Sequence, residues 1–500
     1  MALRLATSSA RSGQVPQFLA FDLGAQSGRA ILGSLSSGIL DVREIRRFAN
    51  EPVRQANALR WNAEALWSEI RAGLDAAGPG LDSVGIDSWG VDYALLGARG
   101  ELVENPYHYR DQRTRGALEQ LIASVGRDRL YEITGIQFHA INTLVQLYAA
   151  CRATPEVIAK ACTLLTIADY FNYRLTGRAC TEYTIASTTQ CLDARSRAWA
   201  VDLLTEGGIP SRLFAPIVEP GTVLGPIAGG DAIAHAGTSV VATACHDTAS
   251  AFAAVRASAG TAFLSSGTWS LLGTELPAPI LSAAARDANF TNEGGACGTI
   301  RFLKNISGLW LLEACRRSWQ AAGRRDRYEE LLEAAAEAPA FGALVDPDDD
   351  DFLNPDDMPS AIDRYCRRTE QPAPDDPPAY TRAILESLAY KYRFVIESLE
   401  RLTGVRVEEI RVIGGGSQNR LLNQFTADAT GRRVVAGPVE ATALGNIAVQ
   451  MLATGAVGSL AEARAIIEQS FPVERYDPSA HDRWDAEYAR FKDYVEGGGG

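Results

Sequence analysis

Two copies of one short pattern, one near the start of each half, limit what this chain can become. The first is Phe18-Leu-Ala-Phe-Asp-Leu-Gly-Ala-Gln-Ser-Gly-Arg-Ala-Ile-Leu-Gly33. It reads as an apolar strand over 18–21, a glycine-containing turn and a second apolar strand over 30–32. The second copy is Thr261-Ala-Phe-Leu-Ser-Ser-Gly-Thr-Trp-Ser-Leu-Leu-Gly273, with hydroxyl side chains where the first has acid and amide. In the first copy Gly24 and Gly28 permit a tight turn whose N–H groups converge on one point. Ser27 adds a hydroxyl, Arg29 a fixed positive charge and Asp22 a carboxylate at the strand end. Such a set suits a magnesium polyphosphate, with amides holding oxygens and the acid orienting hydrated metal. Alone, the first copy is better read as an ordinary hairpin whose Asp and Ser satisfy the turn. The second copy reverses that preference. It points to an internal duplication, with two loops gripping a polyphosphate from opposite sides of a cleft.

A length of 500 residues allows two to four domains. The expected division is a disordered extension over 1–16, a first domain over 17–255, a second over 256–490 and a flexible tail over 491–500. The first sixteen residues lack the apolar core of a signal peptide. A formal net charge of −13 argues against nucleic acid or an anionic membrane as partner. It leaves ATP open, since a few local donors can hold phosphates on an acidic protein. The eight cysteines are scattered with no CxxC pair, as in a reduced cytoplasmic protein. No apolar run reaches membrane-spanning length.

Helical spacing of Leu66, Ile70 and Leu74 predicts a helix over 62–74. Residues 84–96 predict a strand, a glycine turn and a return strand, with Asp87, Trp89, Gly90 and Asp92 at the turn. A carboxylate accepting hydroxyl protons beside an indole face suits a sugar. A core tryptophan with two turn aspartates explains the same residues equally well. Arg110-Asp-Gln-Arg-Thr-Arg115 reads either as cleft lining or as a solvated helix start with its own salt bridges. Nothing in 181–190, rich in Thr and Ser, points to chemistry. At 240–254 a small-residue strand runs into His246-Asp247-Thr248 and an alanine-rich helix. Asp247 reads as a helix N-cap and also as a general base kept ionised by the helix terminus; one residue can do both. The acidic run 346–357 reads as a solvated loop, without the spacing of a calcium loop. A long helix is predicted over 380–403. Finally a buried strand over 410–413 enters Gly414-Gly-Gly416 and an amphipathic helix, where bare backbone can approach a flat ligand or a phosphate.

Taken together, Phe21-Asp-Leu-Gly24, Gly85-Ile-Asp-Ser-Trp-Gly-Val-Asp92, Cys245-His-Asp-Thr-Ala-Ser250, Ser265-Ser-Gly-Thr-Trp-Ser270, Asn292-Glu-Gly-Gly295, Gly414-Gly-Gly-Ser-Gln-Asn419 and Ala436-Gly-Pro-Val-Glu-Ala441 resemble the FGGY carbohydrate kinases of the actin/hexokinase/Hsp70 superfamily. The resemblance runs over about residues 18–455 and is nearest to members acting on L-rhamnulose. It implies an α/β chain of two RNase H-like (actin-like ATPase) domains, each a mixed sheet flanked by helices, with a cleft between them. It also implies ATP with Mg2+, and a ketose phosphorylated on its 1-hydroxyl in rhamnose breakdown by a monomer or weak homo-oligomer. By motif, Asp247 is the base, and His246, Asp247, Thr248, Gly90 and Asn305 touch the ketose. Ala25, Gln26, Ser27, Gly28, Arg29, Thr268, Glu313 and Gly415 hold ATP, and Asp22 orients the metal through water. Three positions depart from the family pattern: Glu313 where glutamine is frequent, Gln26 for a small residue, and Ser417 for cysteine. A kinase for L-fuculose or D-xylulose on the same fold, or a non-catalytic sugar or nucleotide sensor, remains open. A P-loop kinase does not, because Gly-Lys-Ser/Thr occurs nowhere.

Overall fold

A computed structural model describes residues 15–229, 234–353 and 355–497. Most of the expected 1–16 extension, and the last three glycines, lie outside the described residues. The continuous apolar run of the first pattern forms β1 (Gln17–Leu23), buried on both faces except at its first residue. It turns back into β2 (Ser27–Ser36) and β3 (Ile39–Ala49), a three-strand antiparallel meander. β4 (Ser83–Ser88) pairs parallel to β1 after α1 (Ala63–Ala77), which Asn62 caps. β5 (Thr222–Pro226) and β6 (Ser239–Ala242) complete a six-stranded sheet in the order β5-β6-β4-β1-β2-β3.

The second half repeats the plan. β7 (Thr261–Ser266), β8 (Trp269–Leu276), β9 (Thr291–Gly294), β10 (Ile300–Ser307), β11 (Glu409–Ile413), β12 (Arg433–Ala436) and β13 (Glu474–Tyr476) form a seven-stranded sheet. Its order is β9-β10-β8-β7-β11-β12-β13. Strands β10-β8-β7-β11-β12 match β3-β2-β1-β4-β6 pair for pair: two antiparallel pairings, then two parallel ones. The repeated strand–turn–strand pattern is therefore the first hairpin of each sheet.

Helices α2 (Tyr183–Ser187) and α3 (Asp247–Ala253) belong to the first half; α4 (Trp310–Ala321), α5 (Pro377–Thr403), α6 (Arg420–Thr430), α7 (Ala441–Thr454) and α8 (His481–Gly497) follow. One of these crosses the division. α7 comes late in the chain but lies against β1, β4 and α3 of the first half, and small residues make the approach possible. A Cβ on Gly85 would stand 2.6 Å from Asn446 Oδ1, one on Gly33 2.8 Å from Ile447 Cδ1, and one on Gly445 1.7 Å from the Ser250 carbonyl oxygen. A buried polar chain runs through the same contact. Ser83 Oγ donates to Gln450 Oε1 (2.7 Å), and Gln450 Nε2 to Asn446 Oδ1 (2.7 Å) and the Leu19 carbonyl (3.0 Å); Asn446 Nδ2 donates to Asp87 Oδ2 (2.6 Å).

Three expectations fail here. The return strand Tyr93–Leu96 does not pair with β4; it leaves the sheet and pairs with Thr163–Thr166. The chain turns away at Val91, whose φ is +66°, because Asp92 is drawn into an aromatic core. Residues 491–497, expected in a tail, complete α8, since Trp484, Tyr488 and Phe491 pack one face of that helix on Tyr390. The acidic loop is anchored rather than simply solvated. Lys391 of α5, only 3% exposed, places its ammonium 2.7 Å from Asp346 and 3.1 Å from Asp348, the countercharge a buried ammonium needs.

Replacing Gly445 by alanine should lower unfolding free energy by about 2–3 kcal/mol, because the clash is with backbone that cannot rotate away. A urea midpoint equal to that of the unaltered protein would show that α7 is not seated this tightly.

Candidate active site

Three chain segments meet where the central strands of the first sheet end. Asp22 on β1 and Asp87 on β4 are register partners across a parallel pair. Beyond them, the Ser88 amide donates to the Cys245 carbonyl (2.9 Å) and the Trp89 amide to the Leu23 carbonyl (3.2 Å). These bonds bring His246-Asp247-Thr248 beside the two aspartates. His246, not Asp247, occupies the N-cap position of α3, and Asp247 is the first helical residue. Its carboxylate accepts from the Thr248 amide (2.5 Å) and hydroxyl (3.1 Å) and keeps its side chain 30% exposed. Burial raises the pKa of Asp22 and carries that of Asp87 well above the usual carboxylate range, with the neighbouring aspartates adding to both. Asp87 Oδ1 is buried without a partner. Arg29, directly opposite Asp22 on the hairpin, supplies the nearby positive charge: Nη2 is 2.5 Å from Asp22 Oδ2, and Nη1 pairs with Glu440 of the second half.

The first loop is shorter than expected. Only Gly24, Ala25 and Gln26 form the turn, while Ser27, Gly28 and Arg29 already belong to β2. Gly24 donates to the Ser27 carbonyl (3.0 Å), and Asn50 binds the carbonyls of Gly24 and Gln26 (2.9 and 3.0 Å). Neither expected turn glycine adopts a left-handed φ. Gly28 is glycine for packing, because a Cβ there would stand 2.3 Å from the Phe48 ring. The second loop, Gly267-Thr268, is fastened to the start of α4: its two carbonyls accept from the amides of Gly308, Leu309 and Trp310. The glycine triplet packs on the same hairpin. Gly414 takes φ +81°, and a Cβ on Gly416 would fall 2.0 Å from Ser266 Oγ. A Cβ on Gly415 would meet nothing within 4 Å, so that position presents an open face. Glu313, in the first turn of α4, pairs with Arg316 (2.8 Å); Arg316 lies over the Tyr328 ring, and Tyr328 accepts from Asn419 at the foot of the triplet.

On the other side, Gly90 is tucked against Thr188, whose Oγ1 a Cβ would approach to 2.8 Å. Asn305 on β10 reaches the first half, donating through its amide and side chain to Gln137 Oε1 (2.9 and 3.1 Å). Arg110 also crosses between halves, over the Trp310 ring at 4.4 Å with Nη1 3.2 Å from the Leu353 carbonyl; it is not a solvated helix start. The sugar reading of Trp89 and Asp92 fails. Trp89 is buried against Trp61 at a 4.3 Å centroid distance. Asp92 is fully enclosed: Oδ2 accepts from the indoles of Trp61 and Trp89 and the Tyr109 amide (2.6, 3.0 and 3.2 Å), Oδ1 from Gln146 (2.9 Å).

Several residues were not foreseen from sequence. Glu182, buried, caps α2 by accepting from Thr184 and Ile185, and also accepts from the Cys245 amide (3.0 Å); Thr184 Oγ1 accepts from the His246 amide (3.2 Å). The Thr-rich segment thus holds the backbone that carries Asp247. Glu182, an acid two residues ahead of Thr184 at a helix start, was the available signal. Glu293 and Arg301, from β9 and β10, close around His246.

Family models described as the N-terminal and C-terminal domains of the FGGY family of carbohydrate kinases match residues 17–254 and 262–454. The chain belongs to the FGGY family of carbohydrate kinases. Within that family it is 45% identical over 489 residues to a rhamnulokinase of Bacteroides thetaiotaomicron, covering 96% of this chain and 99% of the relative. It is 46% identical over 484 residues to a rhamnulokinase of Pectobacterium carotovorum subsp. carotovorum, covering 96% of each. Two solved structures share the fold: a gluconate kinase from Lactobacillus acidophilus (TM-score 0.79, 17% identity, 97% of each chain) and a xylulose kinase from Lactobacillus acidophilus (TM-score 0.77, 17% identity, 96% of this chain and 97% of that one). As an FGGY kinase the chain is a phosphotransferase using ATP. No helix among the described residues is long and apolar enough to cross a membrane.

Burial raises the pKa of Asp92 to about 6, against about 3.9 in an unfolded chain. Between those values the folded state holds a proton that the unfolded state has lost, so this group's contribution to stability falls as pH rises from about 4 to about 6. Relative to the unaltered protein, Asp92→Asn should gain about 2–3 kcal/mol between pH 4 and pH 7. Urea titrations across that range check it; parallel curves for the two proteins would contradict the shift.

Proposed function

We propose that the protein transfers the γ-phosphoryl group of ATP to the 1-hydroxyl of L-rhamnulose, a step of L-rhamnose breakdown. The observation that carries the chemistry is Asp247, a partly exposed carboxylate at the first turn of α3, next to two buried aspartates. The substrate assignment rests on the near-full-length relatives named rhamnulokinase. The setting fits a cytoplasmic metabolic kinase, with all eight cysteines free.

In this reading His246, Thr248, Gly90 and Asn305 hold the ketose with O1 against Asp247. Asp247 takes the O1 proton as O1 bonds to the γ-phosphorus, the bond from that phosphorus to the β,γ-bridging oxygen breaks, and ADP leaves. The backbone of Ala25–Arg29, Thr268 and Gly415 holds the nucleotide, with Glu313 beside it. A hydrated Mg2+ fits here. Burial already disfavours charge on Asp22 and Asp87, and Asp87 Oδ1 has no donor, so a nearby cation relieves both. Asp22 would orient the ion through metal-bound water. When bound, the ion neutralises charge on the phosphate oxygens.

The experiment is a coupled ADP-release assay with Mg-ATP against L-rhamnulose, L-fuculose, D-xylulose, L-ribulose and glycerol. Selective turnover of L-rhamnulose is expected; selective turnover of another ketose would move the error to the Gly90 and Asn305 side. Asp247→Asn should keep the fold and ATP binding while losing about 10²–10⁴ in kcat. Near-normal turnover in that variant would remove Asp247 from the role.

A further inference from the structure

His246 is held from behind by two residues of the second half that no substrate contact requires. Glu293 and Arg301 are directly opposite each other on β9 and β10, and both are buried, Arg301 completely. Arg301 Nη2 stands 3.1 Å from Glu293 Oε2 and 3.0 Å from His246 Nδ1, and its Nε donates to the Gly294 carbonyl (2.9 Å). Glu293 Oε2 is 3.3 Å from the same imidazole nitrogen. On its far side the ring places Nε2 3.4 Å from Asp247 Oδ1. Glu293 and Arg301 thus share the Nδ1 side of the ring, and Asp247 faces the Nε2 side. A guanidinium carries donors only, so a hydrogen bond from Arg301, nearer to Nδ1 than the Glu293 carboxylate is, requires a lone pair on Nδ1 and a ring proton on Nε2, facing Asp247.

We propose that the Glu293–Arg301 pair is a positioning device that sets the tautomer and angle of His246, and through it the orientation of the Asp247 carboxylate. Neither residue touches substrate; both act through His246. Glu293 is needed because it fixes the guanidinium. Burial opposes charge on Glu293, but Arg301, His246 and Thr291 together outweigh it and leave its pKa below the ordinary carboxylate value. Arg301 in turn lies in the field of Asp247, Glu182 and Glu275 as well as Glu293. Without Glu293, the nearest of these acids, the guanidinium is free to turn toward the others and away from Nδ1. The positioning is thus delivered by the second half to a base carried on the first.

The role rests on Asp247 being the base, and the test separates the two ideas. Nitrogen-15 spectra of the imidazole rings in the protein without substrate read the tautomer directly. The chain has five histidines, and the His246 signals are those lost in His246→Gln. Nδ1 unprotonated and Nε2 protonated is the expected result; a proton on Nδ1 overturns the proposal whatever the enzyme turns over. Glu293→Gln keeps shape but not charge. On whichever ketose the unaltered enzyme prefers, it should lower kcat about tenfold with the KM for ATP unchanged, and should make the His246 tautomer mixed. Glu293→Asp, which keeps the charge, should recover most of the rate. Equal losses in the Gln and Asp variants would mean a packing role alone and overturn the proposal, as would an unchanged tautomer in Glu293→Gln. If Glu293→Gln fails to fold, Arg301→Lys replaces it, a lone ammonium being unable to span both acceptors, and the same losses are expected. A protein with no kinase activity would refute the proposed function while leaving the nitrogen spectra to decide this one.

Discussion

A carboxylate with no solvent has to find its donors inside the protein, and the placement of Asp87 imposes that requirement on the whole molecule. The residue sits at the end of a central strand of the first sheet, and the donor it receives is Asn446, from a helix of the second half. Asn446 is in turn set by Gln450, which also reads the Leu19 carbonyl and Ser83. The two halves are therefore joined through the floor of the site rather than only around its rim. A free energy of order 1–3 kcal/mol attends each buried polar group left unpaired, so sliding α7 along the sheet is costly at several positions at once. Glycines at 33, 85 and 445 remove the side chains that would keep the surfaces apart.

The same seam sets the electrostatics. Asp22, Asp87 and Asp247 come from three segments, and a cluster of acids is unfavourable without cations. Arg29 meets part of the demand but is shared with Glu440, and Arg301 meets another part from behind His246.

Much of this was legible in the sequence. The two hairpins, the strand–glycine–helix segment near 414, the helix that follows His246-Asp247-Thr248 to within a residue or two, and the family all follow from local pattern, because strand burial and turn residues are local properties. What was not legible depends on contacts distant in sequence. Asp92 and Trp89 look like a sugar-facing turn until Trp61, Tyr109 and Gln146 arrive around them. Gly28 looks like a turn residue until Phe48 crosses it. Glu182 and Thr184 look like a bland polar run until they are seen to hold the backbone of Cys245 and His246. Glu293 was visible only as part of a motif, since its partner Arg301 gains meaning from the β9–β10 register.

The late position of α7 in the chain has a consequence for how the protein is made. Gln450 hydrogen-bonds to Leu19 across 431 positions, so the first sheet is finished by a helix that leaves the ribosome long after the sheet itself. Until then the face carrying Phe18, Ala20 and Ile31, all buried in the finished molecule, lacks the cover of that helix. Contacts this far apart in sequence form slowly, and apolar surface left waiting is prone to aggregate. The nascent first half is thus an incomplete folding unit, and rapid synthesis without a chaperone is where this kinase is most exposed to misassembly.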